Sequence, residues 1–543
     1  MKHVLKTLLT ILNISLLLII SIAIIASFYI KKTFPMVTID ELYFYWTNGV
    51  TNSSSNVFVC AFNSCYINVI LLFIILVIVL YDITFGHLNL ILNTKLLYKK
   101  KYKENKKKKI GSIKKINTVS MQIYPFKFLN RHRIISTIVI LLVSTYIVTS
   151  NLNCIKFIKN NSSKSKFIEI NYVAPEETKV EFNEKRNLIY IIVESLETTF
   201  FSKEQGGLWD YEVIPELYNL TEDNDSIIFY NKDKHEQMIM MADTTWTTAG
   251  VVSNSTALPF KIPIDGNEYH SSNFMNGSYA LGDMLKDNGY YNELISTART
   301  NFGGIQEYYT KHGNYNIIDE NTLWKYNYKL NRNDKNTWGF SDRYLYEIAK
   351  DRLSTISKNN EPFNLQLITI DTHFIDGHKY NFTYNKFNTQ YENVYATSSK
   401  LLYDFIEWVK DQDFYDNTTI VIIGDHLSMQ DDFFTSRNIK SKDRYIYSCY
   451  INSSVEPNEY ENRLYTELDT YPTIISAIGG EIDGNRLGLG VNLFSKQKTL
   501  TERYGIDFLN KEIQKKSKFY NKKILGSDYE VMIKETGTLG EDE

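Results

Sequence analysis

The chain has 543 residues and a formal net charge of −2, from 60 Lys plus Arg against 62 Asp plus Glu. That length calls for more than one domain, and the balance of charge argues against nucleic acid as a partner. With 14% aromatic residues and 9 Pro, the composition is that of a folded chain with a sizeable core rather than a disordered one.

The first element is apolar. Val4 to Ile30 is nearly continuous and exceeds the roughly 20 residues that cross a bilayer. It ends in Phe28-Tyr29-Ile30-Lys31-Lys32 rather than at a small-residue cleavage site, which predicts a retained span instead of a signal peptide. Second and third spans are expected at about Ile67–Phe85 and Ile134–Thr149. Between the first two lie Cys60 and Cys65. They flank a short loop and would pair in an oxidising compartment or remain two thiols. With Cys154 and Cys449 they complete the four cysteines, and neither a CxxC pair nor a Cys/His zinc spacing occurs.

Orientation follows from lysine. Lys95, Lys99–Lys101, Lys103, Lys106–Lys109, Lys114 and Lys115 crowd the loop between spans two and three, which places that loop in the cytoplasm. The same lysines would also suit anionic lipid headgroups. On the topological reading everything after span three is extracytoplasmic. The expected layout is a transmembrane region over 1–150, a polar juxtamembrane linker over 151–186, a catalytic domain over 187–500 and a charged, solvated tail over 501–543.

Beyond residue 186 short apolar runs alternate with helical patterns. Strands are predicted at Leu188–Val193, Glu293–Ser296, Asn364–Ile370, Thr418–Ile423 and Tyr445–Ile451, and helices at Ala280–Asn288, Asp342–Ser357, Glu392–Lys410 and Asp469–Ile478. This alternation predicts an α/β domain with a mostly parallel central sheet and helices on both faces. Active sites in such sheets lie beyond the carboxyl ends of the strands.

Chemistry-bearing residues fall at those ends. The first strand runs into Glu194-Ser195-Leu196-Glu197, the third into Asp371-Thr372-His373 and the fourth into Asp425-His426. A carboxylate from one strand and an Asp-His pair from another are plausible ligands for one divalent ion, with a threonine oxygen completing the set. Each strand end alone is more often a helix cap; three together are harder to explain that way. Of nine histidines, His373, His378 and His426 lie near these ends, and the other six are expected to be structural or on the surface.

The threonine oxygen has a candidate source in Asp243-Thr244-Thr245-Trp246-Thr247-Thr248-Ala249-Gly250, which opens a predicted helix over Ala249–Thr256. A hydroxyl there sits where free N–H groups favour an anion. A nearby metal would let it become an alkoxide and attack phosphorus. On this stretch alone a plain N-cap is the commoner reading.

In this order the motifs Val193-Glu194-Ser195-Leu196-Glu197, Trp246-Thr247-Thr248-Ala249-Gly250, Asp371-Thr372-His373-Phe374 and Gly424-Asp425-His426-Leu427 resemble the membrane phosphoglycerol transferases of the alkaline phosphatase/sulfatase superfamily. That family includes lipoteichoic acid synthases and periplasmic glucan-modifying enzymes. Leu468–Thr473 and Gly484–Phe494 resemble the glucan-modifying branch, and the whole match covers about 186–495.

The resemblance implies an alkaline-phosphatase-like domain outside the membrane. Its metal ligands would be Glu194, Thr247, Asp425 and His426, holding manganese, with magnesium and zinc as alternatives. Thr247 would be the nucleophile, with the adjoining Trp246 favouring it within the run of four threonines. His373 would lie beside the phosphoglycerol group, and Trp338 in Trp338-Gly339-Phe340-Ser341-Asp342 would line the substrate pocket. Ile295–Gly313 matches too loosely to carry an acceptor-site residue. The implied reaction moves phosphoglycerol from phosphatidylglycerol to a glycan, teichoic-acid or other polyol-phosphate acceptor, with the spans serving as anchors or in lipid delivery.

Four other readings compete with this one. A phosphoethanolamine transferase shares the fold and the threonine, but those enzymes often carry several cysteines in the soluble domain, where this chain has Cys449 beyond the linker. A sulfatase needs a C/S-x-P-x-R motif, and none of the four cysteines has Pro two residues on; a phosphodiesterase would hydrolyse without transfer. A non-catalytic sensor would have no reason to keep every candidate ligand.

Overall fold

The computed structural model describes residues 133–261 and 274–526, the backbone of 90–103 and 110–123, and short stretches between 15 and 42. The chain divides into two units, one of Met1–Ile30 with Phe58–Leu152 and one of Lys31–Val57 with Asn153–Glu543.

In the first unit, Arg133–Asn151 forms a helix over the third predicted span and exposes Ile135, Leu142 and Tyr146. The lysine-rich region, expected to be a loop, pairs Leu90–Lys103 with Ile110–Ile123 as an antiparallel hairpin. Among the described residues no single helix is long and apolar enough to cross a membrane. Ile138–Asn151 and Cys154–Ser162 meet the length and composition of a span only as a pair. The second predicted span and Cys60 and Cys65 lie outside the described residues, as does most of the first.

The second unit is built on a seven-stranded sheet. Its strands are β1 (Asn187–Val193), β2 (Ser226–Ile227), β3 (Tyr291–Ser296), β4 (Asn316–Ile318), β5 (Phe363–Ile368), β6 (Thr418–Gly424) and β7 (Ser448–Ile451), in the spatial order β2-β7-β6-β1-β5-β3-β4. From β6 to β4 all neighbours are parallel, and β7 runs opposite to β6 and β2. The sheet is therefore mostly parallel, as the alternation predicts.

Central strands read as unbroken apolar runs because both faces are covered. Leu188, Tyr190 and Ile192 of β1 face one core, with helices α2 (Thr247–Thr256), α3 (Leu281–Asp287) and α6 (Thr470–Ala477). Ile189, Ile191 and Val193 face the other, with α1 (Pro215–Glu222), α4 (Asp342–Ile356) and α5 (Gln390–Lys410).

Four differences from the sequence reading have local causes. The strand predicted to reach Ile370 ends at Ile368, because Ile370 and Asp371 donate their N–H groups to the Asp342 carboxylate at 2.8 and 3.0 Å. The strand predicted from Tyr445 begins at Ser448, since Ile446 pairs with Met238 instead. The edge strands β2 and β4 are two and three residues long, too short for periodicity to register. Both ends of the domain also extend further than expected. Phe167 and Ile168 of the predicted linker, and Leu509, Ile513, Tyr520 and Ile524 of the predicted tail, are buried in the core shared with α2. Their apolar spacing was hidden among lysines.

Candidate active site

Register builds the site. In the parallel β1–β6 pair Val193 stands opposite Gly424, so the next residues, Glu194 and Asp425, leave the sheet side by side at its carboxyl edge. The turn after β1 places Ser195 at φ 54°, a left-handed conformation that a non-glycine residue adopts at a cost. In return the Ser195 N–H donates to Asp425 Oδ1 at 2.7 Å and its hydroxyl to Glu194 Oε1 at 2.7 Å. Gly424 is required there, because a Cβ would stand 2.2 Å from the Leu196 carbonyl oxygen.

His426 completes the group. Its Nδ1 lies 2.8 Å from the Leu427 carbonyl, which can only accept, so Nδ1 carries the proton. The lone pair on Nε2 then faces Asp425 Oδ2 at 3.3 Å and Glu194 Oε1 at 3.6 Å. One ligand atom from each of Glu194, Asp425 and His426 falls within 4.8 Å of the others, and all three residues are buried.

The threonine run divides its partners cleanly. Thr244 donates to the Met241 carbonyl and to Glu467, Thr245 to Glu41 Oε2 at 3.2 Å, and Thr248 to the Gly303 carbonyl at 2.7 Å. Thr247 alone of the four donates to the acid group, to Glu194 Oε2 at 3.1 Å. It is the first residue of α2, which begins two residues earlier than predicted, so its hydroxyl stands at the positive end of a ten-residue helix. Gly250 lets α2 come this close, since a Cβ there would lie 2.2 Å from the Asp425 carbonyl oxygen.

The electrostatics of the group suit a cation. Burial pushes the Asp425 carboxyl up to about 7, and the Glu194 charge beside it adds to the shift. Burial also raises Glu194, but the imidazoles of His373 and His426 and the hydroxyls of Ser195 and Thr247 outweigh it and hold this carboxyl below its ordinary value. Burial lowers His426, and the Asp425 and Glu194 carboxylates more than restore it. Asp425 Oδ2 is buried with no hydrogen-bond partner. Two adjacent carboxylates, an orphaned oxygen, an imidazole lone pair and a hydroxyl make a donor set that fits a divalent ion.

A second wall faces this group. The His373 ring lies 4.5 Å from the Trp338 ring, which in turn lies 5.4 Å from Phe302. His373 Nδ1 donates to the Phe374 carbonyl at 2.7 Å, leaving Nε2 available to take a proton. Asp371 is turned away. Its carboxylate accepts from Ser341, Asp342 N–H and Tyr380, while Asp342 returns two bonds, and this reciprocal pair ties the Trp338 loop to the His373 loop. His378 is set behind, its Nε2 buried without a partner, and burial, with His373 nearby, lowers its imidazole to about 4. Glu197 is also turned away, into an ion pair with Arg444.

Sequence reasoning missed Glu41, Ser195 and Phe302. Ser195 follows from the β1–β6 register, whereas Glu41 stands more than 200 positions before its partner and carries no signal.

A mostly parallel sheet bearing two acids, an imidazole and a helix-heading threonine at its carboxyl edge is an α/β core of the alkaline-phosphatase type. Residues 186–480, more than half of the chain, match the sulfatase family model, and the chain belongs to the sulfatase family. It is similar to phosphoglycerol transferase I of Escherichia coli (strain SMS-3-5 / SECEC), with 29% identity over 322 residues, 58% of this chain and 39% of that protein. Phosphoglycerol transferase I of Salmonella choleraesuis (strain SC-B67) is 27% identical over 322 residues, 58% of this chain and 40% of that protein. The chain thus spans about two fifths of the length of these curated relatives. Among solved structures, the lipoteichoic acid synthase LtaP of Listeria monocytogenes is similar over 61% of this chain and 81% of that one, with 18% identity and a TM-score of 0.46.

Proposed function

We propose that this protein is a membrane-anchored transferase that moves phosphoglycerol from phosphatidylglycerol to an extracytoplasmic glycan or polyol-phosphate acceptor through Thr247. The observation that carries it is the single hydroxyl, among four in the run, that meets the buried Glu194–Asp425–His426 group. The similarity to phosphoglycerol transferase I supports the choice of transferred group.

A divalent ion held by Glu194, Thr247, Asp425 and His426, with manganese the expected one, would lower the hydroxyl pKa and neutralise phosphoryl charge. The Thr247 oxygen attacks phosphorus, the bond from phosphorus to the diacylglycerol oxygen breaks, and diacylglycerol leaves with a proton. Phosphoglycerol is then esterified to Thr247, at a helix start that suits an anion. An acceptor hydroxyl gives its proton to His373 Nε2 and attacks phosphorus in turn, and Thr247 leaves and is reprotonated. Trp338 and Phe302 shape the wall against which the glyceryl group lies.

The proposed layout keeps three spans within residues 1–150, with the lysine-rich segment cytoplasmic and the sulfatase domain outside. The apolar side chains exposed on Arg133–Asn151 support the third span.

The test uses the full-length chain in vesicles with manganese and labelled phosphatidylglycerol or phosphatidylethanolamine. Expected is diacylglycerol release from phosphatidylglycerol, lost by about 10⁴-fold or more in Thr247→Ala. Release from phosphatidylethanolamine instead would mean a different headgroup. Undiminished release in Thr247→Ala would sink the mechanism, and free glycerol phosphate without transfer would indicate a phosphodiesterase.

A further inference from the structure

The turn that presents Thr247 is fastened from several directions. Glu467 holds Thr244 from the segment before α6, and the Gly303 carbonyl holds Thr248 from the loop after β3. Both fasteners lie within the sulfatase match. The third does not: Thr245 Oγ1 donates to Glu41, which stands 204 positions earlier, between the first and second apolar runs.

Glu41 is 2% exposed, although it comes from a short segment near the start of the chain. Its own N–H donates to Thr38 Oγ1 at 3.2 Å, its carboxylate accepts from the Thr38 backbone, and Leu42 N–H reaches the Thr38 carbonyl at 3.1 Å. Thr38 and Glu41 thus close a capping box that stiffens one helical turn. A capping acid alone has no reason to be buried against another element. This one is placed against Thr245, close enough for its charge to be felt at His426.

Thr245 is itself buried, so without Glu41 its hydroxyl has no acceptor from that side. It sits two residues before Thr247, across Trp246, whose carbonyl accepts from the Gly250 N–H in the first turn of α2. A nucleophile must be held within a fraction of an ångström of its line of attack, and a misplacement of about 1 Å costs about a hundredfold in rate.

We propose that Glu41 is a positioning residue of the site. By accepting the Thr245 hydroxyl it fixes the turn that presents Thr247, so the turn that carries Thr38 and Glu41 belongs to the catalytic unit. This rests on Thr247 being the nucleophile.

The test compares wild type, Glu41→Ala, Glu41→Gln, Thr245→Val and the double variant Glu41→Ala/Thr245→Val, all as full-length protein in phosphatidylglycerol vesicles with manganese. Initial rates of diacylglycerol release and thermal melting are both measured. Glu41→Ala is expected to lower kcat about 10- to 100-fold with KM little changed, and Thr245→Val to lower it by a similar factor. The double variant falls no further than either single one, because both remove the same link. Glu41→Gln, which keeps an oxygen to accept the Thr245 proton, recovers most of the rate.

Three results would overturn the proposal: Glu41→Ala within about twofold of wild type, additive losses in the double variant, or a fall in Glu41→Ala with none in Thr245→Val, which would leave Glu41 as a cap only. If Glu41→Ala melts far below wild type, Thr245→Val, which keeps the side-chain volume, carries the kinetic test. If the wild type releases no diacylglycerol, the transfer reading fails on its own. The Glu41–Thr245 link is then decided by melting, where coupling between the two substitutions supports it and independence refutes it.

Discussion

Glu194 and Glu197 leave the same turn three residues apart, and both are fully buried carboxylates at the carboxyl edge of the sheet. Their surroundings differ in one respect. Glu197 has a permanent cation: Arg444 grips it through two guanidinium nitrogens, with Ser428 N–H and the Thr199 hydroxyl filling the remaining lone pairs. Arg444 is saturated in turn, bonding the Ser428 carbonyl and lying 3.8 Å over the Phe434 ring. Glu194 has hydroxyls and an imidazole around it, a second carboxylate beside it, and an orphaned oxygen on that neighbour. A buried charge is tolerated when paired. Where an arginine of the chain pairs with the acid the cluster is structural, and where two carboxylates crowd an imidazole and a hydroxyl the donor set suits a divalent ion.

The largest effect should therefore come from breaking the closed cluster. Arg444→Ala leaves Glu197 buried without its cation and is expected to cost about 3–5 kcal/mol in chemical denaturation. Glu197→Ala leaves Arg444 only Asp431, at 3.3 Å and partly exposed, and should cost somewhat less. If either variant unfolds within about 1 kcal/mol of wild type, the distinction between the clusters fails on its structural side.

The open cluster should behave in the opposite sense. In chelator, Asp425→Asn removes one of two like charges and is expected to unfold no more readily than wild type. Added manganese should stabilise the wild type by about 2.7 kcal/mol at a hundred times its dissociation constant, and Asp425→Asn not at all. The gain should be larger at pH 8 than at pH 6. The Asp425 carboxyl, pushed up by burial and by Glu194 to about 7, holds a proton at the lower pH that an ion must displace. A melting temperature that ignores manganese at pH 8, or an equal response in Asp425→Asn, would show that this group holds no ion.

Much of the contrast was legible in the sequence, and the part that was not has a physical reason. Strand ends announced Glu194, Asp425 and His426, because an apolar run stopping at an acid is a local pattern. Nothing local separates Glu194 from Glu197, since the arginine that decides between them lies 247 positions from Glu197. The four threonines look alike as a string and are told apart by partners at Glu467, Glu41, Glu194 and Gly303, which stand 53 to 223 positions away. The mostly parallel sheet was readable because its central strands are buried on both faces. The two edge strands were not, because two or three residues are too few to show a period, and the packed tail was not, because its apolar positions are set among lysines.

A third buried acid lies between the two extremes and sharpens the rule. Glu467 is fully buried, and its carboxylate is met by neutral donors, the Met241 N–H at 3.1 and 3.2 Å and the Thr244 hydroxyl at 2.8 Å. Burial pushes its carboxyl up to about 7, and these donors only partly offset the loss of water. The folded state thus holds the proton more tightly than the unfolded chain. Its contribution to stability is complete below the ordinary glutamate pKa and is lost as pH rises through about 7. Glu467→Gln has no proton to lose. Relative to wild type it should be neutral or slightly destabilising at pH 4.5 and gain about 1–2 kcal/mol by pH 8, the smallest of these effects because neighbouring acids titrate with it. Denaturant midpoints of the two proteins across that range measure the difference directly. If it stays constant from pH 4.5 to 8, neutral donors hold a buried carboxylate as well as a cation does, and the reading of the open cluster as a cation site loses its basis.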